Sequence, residues 1–130
     1  MELTKHKTNT ANEALSVAVL DKAGHGGAHH LYRIAGFNTT TNLSENRRTR
    51  PDKSVALMFQ NGPIGDVGVN GITDEALLAV LIHRREGLQA GPYATKHGAA
   101  ALEALESAMT HLQARTLERQ ARGVEGTHGL

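Results

Sequence analysis

The feature that most constrains this chain is a long amphipathic segment near its C-terminal end. Apolar side chains recur there at spacings of three and four, as Leu102, Leu105, Met109 and Leu112. This spacing is a heptad seam, typical of a helix that packs along another helix. The segment predicts a helix that begins between Tyr93 and Thr95, runs to Arg122 and is closed by Gly123. Its roughly 27 residues would span about 40 Å.

A shorter amphipathic segment precedes the long one and predicts its hairpin partner. Thr73 is a candidate N-cap, and the apolar face carries Leu77, Leu78, Leu81 and Ile82. We expect this helix to end near Glu86, with Gly87 as its stop, after roughly 13 residues or about 20 Å. It can cover only half of the long helix, so we expect a second chain to cover the remaining seam.

The N-terminal half has the alternation and β-branching of strands. Three such segments occupy residues 14–21, 29–37 and 53–59. The glycine-rich stretch 22–28 suits a hairpin connection, and the polar insert 38–52 predicts a long loop before the third strand. These patterns predict a small antiparallel sheet.

The whole chain is therefore predicted to be an α+β protein. Its 130 residues favour a single domain, 1–130, with a β-sheet subregion at 12–60. A glycine loop and a helical hairpin with one long helix follow at 61–123, and a C-terminal tail at 124–130. Only two Phe, two Tyr and no Trp are present, which weakens the core and favours assembly as an oligomer.

Composition restricts the class of function. The formal net charge of +1 gives no basic field for DNA, and no cysteine is present to form disulfides or thiolate metal sites. Residues 1–17 lack the apolar core of a signal peptide, and no stretch approaches a membrane span. We expect a protein of the cytoplasm that binds neither DNA nor membranes.

Glycines at 62, 65, 68 and 71 lead into the shorter helix, a pattern that can cradle phosphate. The stretch matches neither the phosphate-binding loop of nucleotide hydrolases nor the dinucleotide-binding fingerprint. A strand-to-helix turn, whose glycines permit positive φ, is the favoured interpretation.

Three arginines of the long helix, Arg115, Arg119 and Arg122, share one face. They could bind anionic oxygens as a ladder, or they could be a solvated charged face on which Glu118 pairs with Arg122.

The remaining polar residues suggest no chemistry. His25, His29 and His30 lie close together, but neighbours in a strand point to opposite faces, so we expect no metal site. The serines lie in no recognisable nucleophile motif, and we expect neither a catalytic residue nor a cofactor.

From Phe59 onward the chain resembles a known family. The stretches "VGVNGITDEALLAVLIHRREGLQAGPYA" and "AALEALESAMTHLQARTLERQARGVEGTH" are similar to the phage-encoded Thoeris anti-defence sponges. These share a helical hairpin domain with the phage sponges that counter CBASS immunity. The likeness covers residues 59–128.

The resemblance implies a binding protein rather than an enzyme. Such proteins sequester the cyclic ADP-ribose isomers made by TIR proteins in the bacterial cytosol during infection. Several also hold cyclic di- or trinucleotides at separate sites, and they assemble as homodimers that build homohexamers.

The resemblance also implies ligand-binding residues. Arg115 and Arg119 match the phosphate-binding arginines of the family, and Tyr93 matches an aromatic after "GP". Leu88 stands where an aromatic usually stacks on a base. Lys96 replaces an arginine, and Gly98 replaces a ligand-contacting asparagine.

Two alternatives remain open at the level of sequence. One is an enzyme that degrades the cyclic nucleotide, and the other is a ligand-free oligomeric protein of a prophage.

Overall fold

The computed structural model describes residues 1–45, 51–127 and 129. The chain divides into two compact units, Met1–Asn61 and Gly62–Leu130. The first unit holds an antiparallel sheet and the second holds a pair of long helices, so the predicted α+β class is confirmed. The prediction of a single domain stays a prediction.

The sheet of the first unit has four strands in the order β1-β2-β3-β4, all antiparallel. These are β1 Glu2–Leu3, β2 Ser16–Val19, β3 Leu31–Ala35 and β4 Ser54–Met58. The sequence predicts β2, β3 and β4 but not β1, because two residues are too short to show a period of two. The predicted first strand also begins too early, since residues up to Ala14 belong to the short helix α1, Thr10–Ala14.

The strand register gathers most of the large apolar side chains on one face of the sheet. Val17 lies opposite Ile34, which lies opposite Val55 on the next strand. Tyr32 packs edge-to-face on Phe59, with ring centroids 5.7 Å apart. Among the described residues, Val19 is the one buried apolar side chain, at 8% exposure. The sheet therefore has little core of its own.

The two predicted loops of this unit are present. The glycine-rich connection between β2 and β3 contains a 3₁₀ turn at His25–Gly27, and the Gly24 N–H donates to the Ala28 carbonyl at 2.8 Å. The polar insert joins β3 to β4. Its ends are held together where Thr39 N–H donates to the Asp52 carbonyl at 3.1 Å. Residues 46–50 of the predicted insert lie outside the described residues.

The second unit contains three helices: α2 Ile64–Val67, α3 Asp74–Gln89 and α4 Lys96–Ala121. The predicted N-cap Thr73 is confirmed, since its hydroxyl accepts from Ala76 N–H at 3.1 Å. Thr95 caps α4 by accepting from Gly98 N–H at 2.9 Å, so α4 begins at Lys96, just after the predicted start between Tyr93 and Thr95. Gly123 follows α4 with φ of 73°, in the left-handed conformation that closes helices.

The predicted end of α3 is wrong. Gly87 is an ordinary helical residue, and α3 continues to Gln89, which makes it 16 residues long. A glycine ends a helix only when later residues gain nothing by continuing it. Here Leu88 and Gln89 are half-buried, and the Gln89 side chain hydrogen-bonds to the Thr95 backbone. These contacts outweigh the helix penalty of Gly87, about 1 kcal/mol.

The helices α3 and α4 pack as a hairpin along the predicted seam. Leu102, Leu105, Met109 and Leu112 are each half-buried. With 16 and 26 residues, α3 and α4 measure roughly 24 and 39 Å, so part of α4 extends beyond its partner. Apolar side chains are exposed on both helices, including Val80 at 62%, Leu81 at 42% and Leu117 at 65%. Among the described residues, no helix is both long and apolar enough to span a bilayer.

Candidate functional site

The six predicted ligand-binding residues fall into two groups within the helical unit. The turn cluster, around the connection between α3 and α4, comprises Leu88, Tyr93, Lys96 and Gly98. The arginine cluster comprises Arg115 and Arg119 near the other end of α4. The helix between Lys96 and Arg115 is roughly 28 Å long. One chain therefore does not bring the two clusters together.

Gly98 of the turn cluster lies beneath a side chain of α3. The Gln89 amide donates to the Thr95 carbonyl at 3.0 Å and accepts from Thr95 N–H at 3.2 Å. A Cβ added to Gly98 would collide with Gln89 Oε1 and lie 3.0 Å from Thr95 Oγ1. This position is buried and filled, so the glycine is explained by the close approach of Gln89.

The other members of the turn cluster are accessible. Tyr93 is 77% exposed, Lys96 is exposed and Leu88 is half-buried. Within the described parts of the chain, neither the Tyr93 hydroxyl nor the Lys96 ammonium has a hydrogen-bond or ion-pair partner. A flat aromatic ring and a cation are thus displayed at the same turn.

The two members of the arginine cluster differ in their surroundings. Arg115 is exposed and makes no hydrogen bond or ion pair with any described residue. Arg119, one helical turn later, is only 7% exposed. Arg122 follows on the same face, and its Nε lies 3.8 Å from Glu118 Oε1, which is the predicted i,i+4 pair.

Arg119 is enclosed by the chain that follows α4. Its Nε donates to Glu125 Oε2 at 3.0 Å, and its Nη2 donates to the carbonyls of Val124 at 3.0 Å and Thr127 at 3.3 Å. Its Nη1 donates to the Gly129 carbonyl. The positive φ of Gly123 reverses the chain, and Val124 N–H then donates to the Arg119 carbonyl at 3.0 Å.

The sequence did not reveal these partners of Arg119. Residues 124–127 contain Val, Glu, Gly and Thr, which show no periodicity and were predicted only as a tail. The sequence feature that could have indicated them is Glu125, an acidic residue six positions beyond Arg119 and two positions after Gly123, where the chain reverses. Such an acidic residue can fold back onto the helix face that it has left.

The glycine loop forms a turn, as the favoured interpretation predicts. Gly62 has φ of 99° and Gly68 has φ of 72°, and these two glycines flank the single helical turn of α2. The N–H of Gly65 donates to the Gly126 carbonyl at 3.2 Å, so this amide binds the C-terminal segment rather than standing open. The N–H groups of Val67 and Gly68 are also used within the turn.

Two open clefts lie on the helical hairpin. The first is apolar, has a volume of about 260 Å³ and is lined by Asp74, Leu77, Leu78, Leu81 and Leu112. The second is more polar, measures about 430 Å³ and is lined by Glu75, Gln113, Thr116, Leu117 and Gln120. Gln113, Thr116 and Leu117 lie within one turn of Arg115 along α4, and sequence reasoning did not single them out.

Two histidines of the first unit, His29 and His30, lie beside Asp21. Its carboxylate accepts from the backbone N–H of His30 at 2.9 Å and of Leu31 at 3.2 Å, and His29 Nδ1 lies 3.7 Å away. Burial raises the pKa of Asp21, but these backbone donors and the charge of His29 outweigh it and hold the pKa below its ordinary value.

His30 is the buried member of this group. The residue is 7% exposed, and its ring Nδ1 has no hydrogen-bond partner among the described residues. Within the same residues, no group of three or more metal-ligating side chains is arranged to hold a metal ion.

Comparison with known proteins bears on the predicted resemblance. No family model matches the sequence. A curated protein, Thoeris anti-defense 1 of Bacillus phage SBSphiJ7, is 41% identical over 76 residues, which are 58% of this chain and 54% of that protein. The predicted resemblance to the Thoeris anti-defence proteins is confirmed. The chain spans about half the length of the curated relative that it matches.

Proposed function

We propose that this chain is a phage anti-defence protein that binds and sequesters cyclic nucleotide immune signals in the host cytoplasm. Cyclic ADP-ribose isomers are the principal ligands, and cyclic di- or trinucleotides are further candidates. Its similarity to a protein named Thoeris anti-defense 1 supports action against Thoeris immunity.

One observation supports a ligand that contains phosphate. Arg115 presents a guanidinium on the surface of α4 that no described residue pairs with. A guanidinium donates two parallel hydrogen bonds to a phosphate, and such charge-assisted bonds are roughly twice as strong as neutral ones. Gln113 and Thr116 line the more polar cleft, which lies on a different face of α4 from Arg115, and their side chains can hydrogen-bond a ribose or a base.

A second copy of the chain would complete this site. The turn cluster and the arginine cluster are separated by roughly 28 Å of helix in one chain. If two copies of α4 pack antiparallel, the turn cluster of one copy approaches the arginine cluster of the other. The exposed Val80, Leu81 and Leu117 supply apolar surface for such contacts. We propose homodimers of this kind as the building block of a homohexamer.

Sequestration differs physically from catalysis. Arginines that contact the phosphates of the intact ligand stabilise its ground state. Because they stabilise a transition state no more strongly, they do not accelerate cleavage. Such a protein lowers the concentration of free signal in proportion to its own amount. The ligand is then released unchanged when the protein unfolds.

Calorimetric titration of the full chain tests the proposal. We expect saturable binding of at least one cyclic ADP-ribose isomer, with a stoichiometry set by sites shared between two chains. Cyclic di- and trinucleotides are titrated in parallel to identify a second ligand class. Absence of binding to every one of these cyclic nucleotides would contradict the proposed function.

A further inference from the structure

Arg119 cannot contact a phosphate while its present partners remain in place. A guanidinium has five N–H donors in one plane. All three of its nitrogens are hydrogen-bonded to Glu125, Val124, Thr127 or Gly129. Arg115, four residues earlier on the same helix, is exposed. The chain thus holds one accessible arginine and one occupied arginine within a single turn.

The occupants of Arg119 present the same chemistry as a phosphate. They offer a carboxylate oxygen on Nε and carbonyl oxygens on the two terminal nitrogens. A phosphate binds a guanidinium through the same N–H groups. Occupation by residues 124–127 and occupation by a ligand phosphate therefore exclude each other.

The contacts of residues 124–127 are suited to release. The Glu125 side chain is 35% exposed, so its carboxylate can pass into water without crossing a packed core. Outside the Arg119 side chain, this segment is held by backbone bonds from Val124 to Arg119 and from Gly65 to Gly126. Gly123 and Gly126 both have positive φ, at 73° and 79°, and glycine can change its dihedral angles there without steric cost.

We propose that residues 124–127 are an autoinhibitory latch on Arg119, which a ligand phosphate displaces. The inference rests on the proposed function, in which Arg119 binds phosphate. Removing the Glu125 carboxylate takes charge compensation away from a buried guanidinium, so release is unfavourable until an anion replaces it. The apparent affinity of the chain for its ligand then equals the intrinsic affinity multiplied by the fraction of chains in which Arg119 is open. It also selects ligands whose phosphate reaches Arg119 as well as Arg115.

The test compares two full-length variants in calorimetry with cyclic ADP-ribose isomers. Glu125→Gln keeps an acceptor for Arg119 Nε but removes the charge. We expect this variant to bind about tenfold more tightly than the parent, because a charge-assisted bond is roughly twice as strong as a neutral one. Glu118→Gln is the matched control, since it removes the same charge from the exposed Arg122 pair. Its affinity should stay within about twofold of the parent.

Hydrogen exchange of the parent provides a second readout that needs no variant. The N–H groups of Val124 and Thr127 are bonded to Arg119 and Val124 carbonyls in the latched state. We expect their exchange to accelerate when a cyclic ADP-ribose isomer is added, because the ligand opens the latch. This readout decides the matter if Glu125→Gln fails to fold.

The outcomes separate the latch from the proposed function. If the parent binds, Glu125→Gln binds no better and exchange at Val124 and Thr127 is unchanged or slower, the latch is overturned and the proposed function stands. If neither the parent nor the variant binds any isomer, both fail. Tighter binding by Glu125→Gln with an unaffected Glu118→Gln supports the latch.

Discussion

Arg115 and Arg119 lie one turn apart on α4 and differ in burial. In the proposed site, the exposed guanidinium of Arg115 binds an anion directly, whereas Arg119 first exchanges Glu125 for the ligand. The sequence could predict that both face the same side of a helix, since four residues separate them. It could not predict their burial, because that depends on the path of the chain after Gly123.

Replacing Arg115 tests its contact with phosphate. Hydrogen bonds to charged groups contribute roughly 1.5–3 kcal/mol each, so Arg115→Ala should weaken binding of a cyclic ADP-ribose isomer about tenfold or more. Arg84→Ala is the control, because Arg84 is an exposed arginine of α3. Calorimetry should show parental affinity for Arg84→Ala. Equal affinity of Arg115→Ala and the parent would place the ligand elsewhere.

Asp21 should make folding stability depend on pH in the acid range. Its folded-state pKa lies below the ordinary 3.8, so its stabilising contribution is complete above that pH and is lost as pH falls through the folded pKa. We expect Asp21→Asn to lower the free energy of unfolding at pH 7. The difference between parent and variant should shrink as pH falls below 3.8.

Chemical denaturation at a series of pH values measures that difference. Glu103→Gln, which removes an exposed carboxylate of α4, is the matched control and is measured over the same pH series. A difference between Asp21→Asn and the parent that is independent of pH would show that the hydrogen bonds matter and the charge does not.

The helices show which elements the sequence could specify. Thr73 begins α3 and Gly123 closes α4 as predicted, because capping depends on local chemistry. The end of α3 depends instead on Gln89 reaching the Thr95 backbone across the turn. β1 is equally non-local, since its two residues become a strand only by pairing with β2. Neither contact leaves a periodic signal.

Two glycines of the hairpin should respond oppositely to substitution. The side chain introduced by Gly98→Asn would occupy the space that the Gln89 side-chain amide now fills. We therefore expect the unfolding free energy to fall by about 1–3 kcal/mol. Gly87→Ala meets nothing within 4 Å in the middle of α3 and should raise unfolding free energy by roughly 0.5–1 kcal/mol.

Thermal and chemical unfolding of both variants checks these signs. The result also bears on ligand binding, because Gly98 stands where the resemblance implies a ligand-contacting asparagine. A stable Gly98→Asn variant would mean that Gln89 moves aside readily and that this position is open to a ligand after all.

At the scale of the whole molecule, the exposure of apolar side chains favours assembly. Leu117 is 65% exposed on α4, so Leu117→Glu places a charge on the proposed interface without replacing a buried residue of the hairpin. We expect sedimentation of the parent at micromolar concentration to show an oligomer and of Leu117→Glu to show smaller species. Leu43→Glu, which alters a fully exposed leucine of the insert, is the matched control. A monomeric parent would contradict the proposed assembly.

Recovery of the signal after capture tests the central claim most directly. A cyclic ADP-ribose isomer is mixed with a molar excess of the full chain, and free nucleotide is measured by mass spectrometry after ultrafiltration. The protein is then denatured and the nucleotide measured again. Sequestration predicts that the free isomer disappears and that its initial amount returns unchanged on denaturation. A free concentration that never falls, or a cleaved product in the denatured sample, would contradict it.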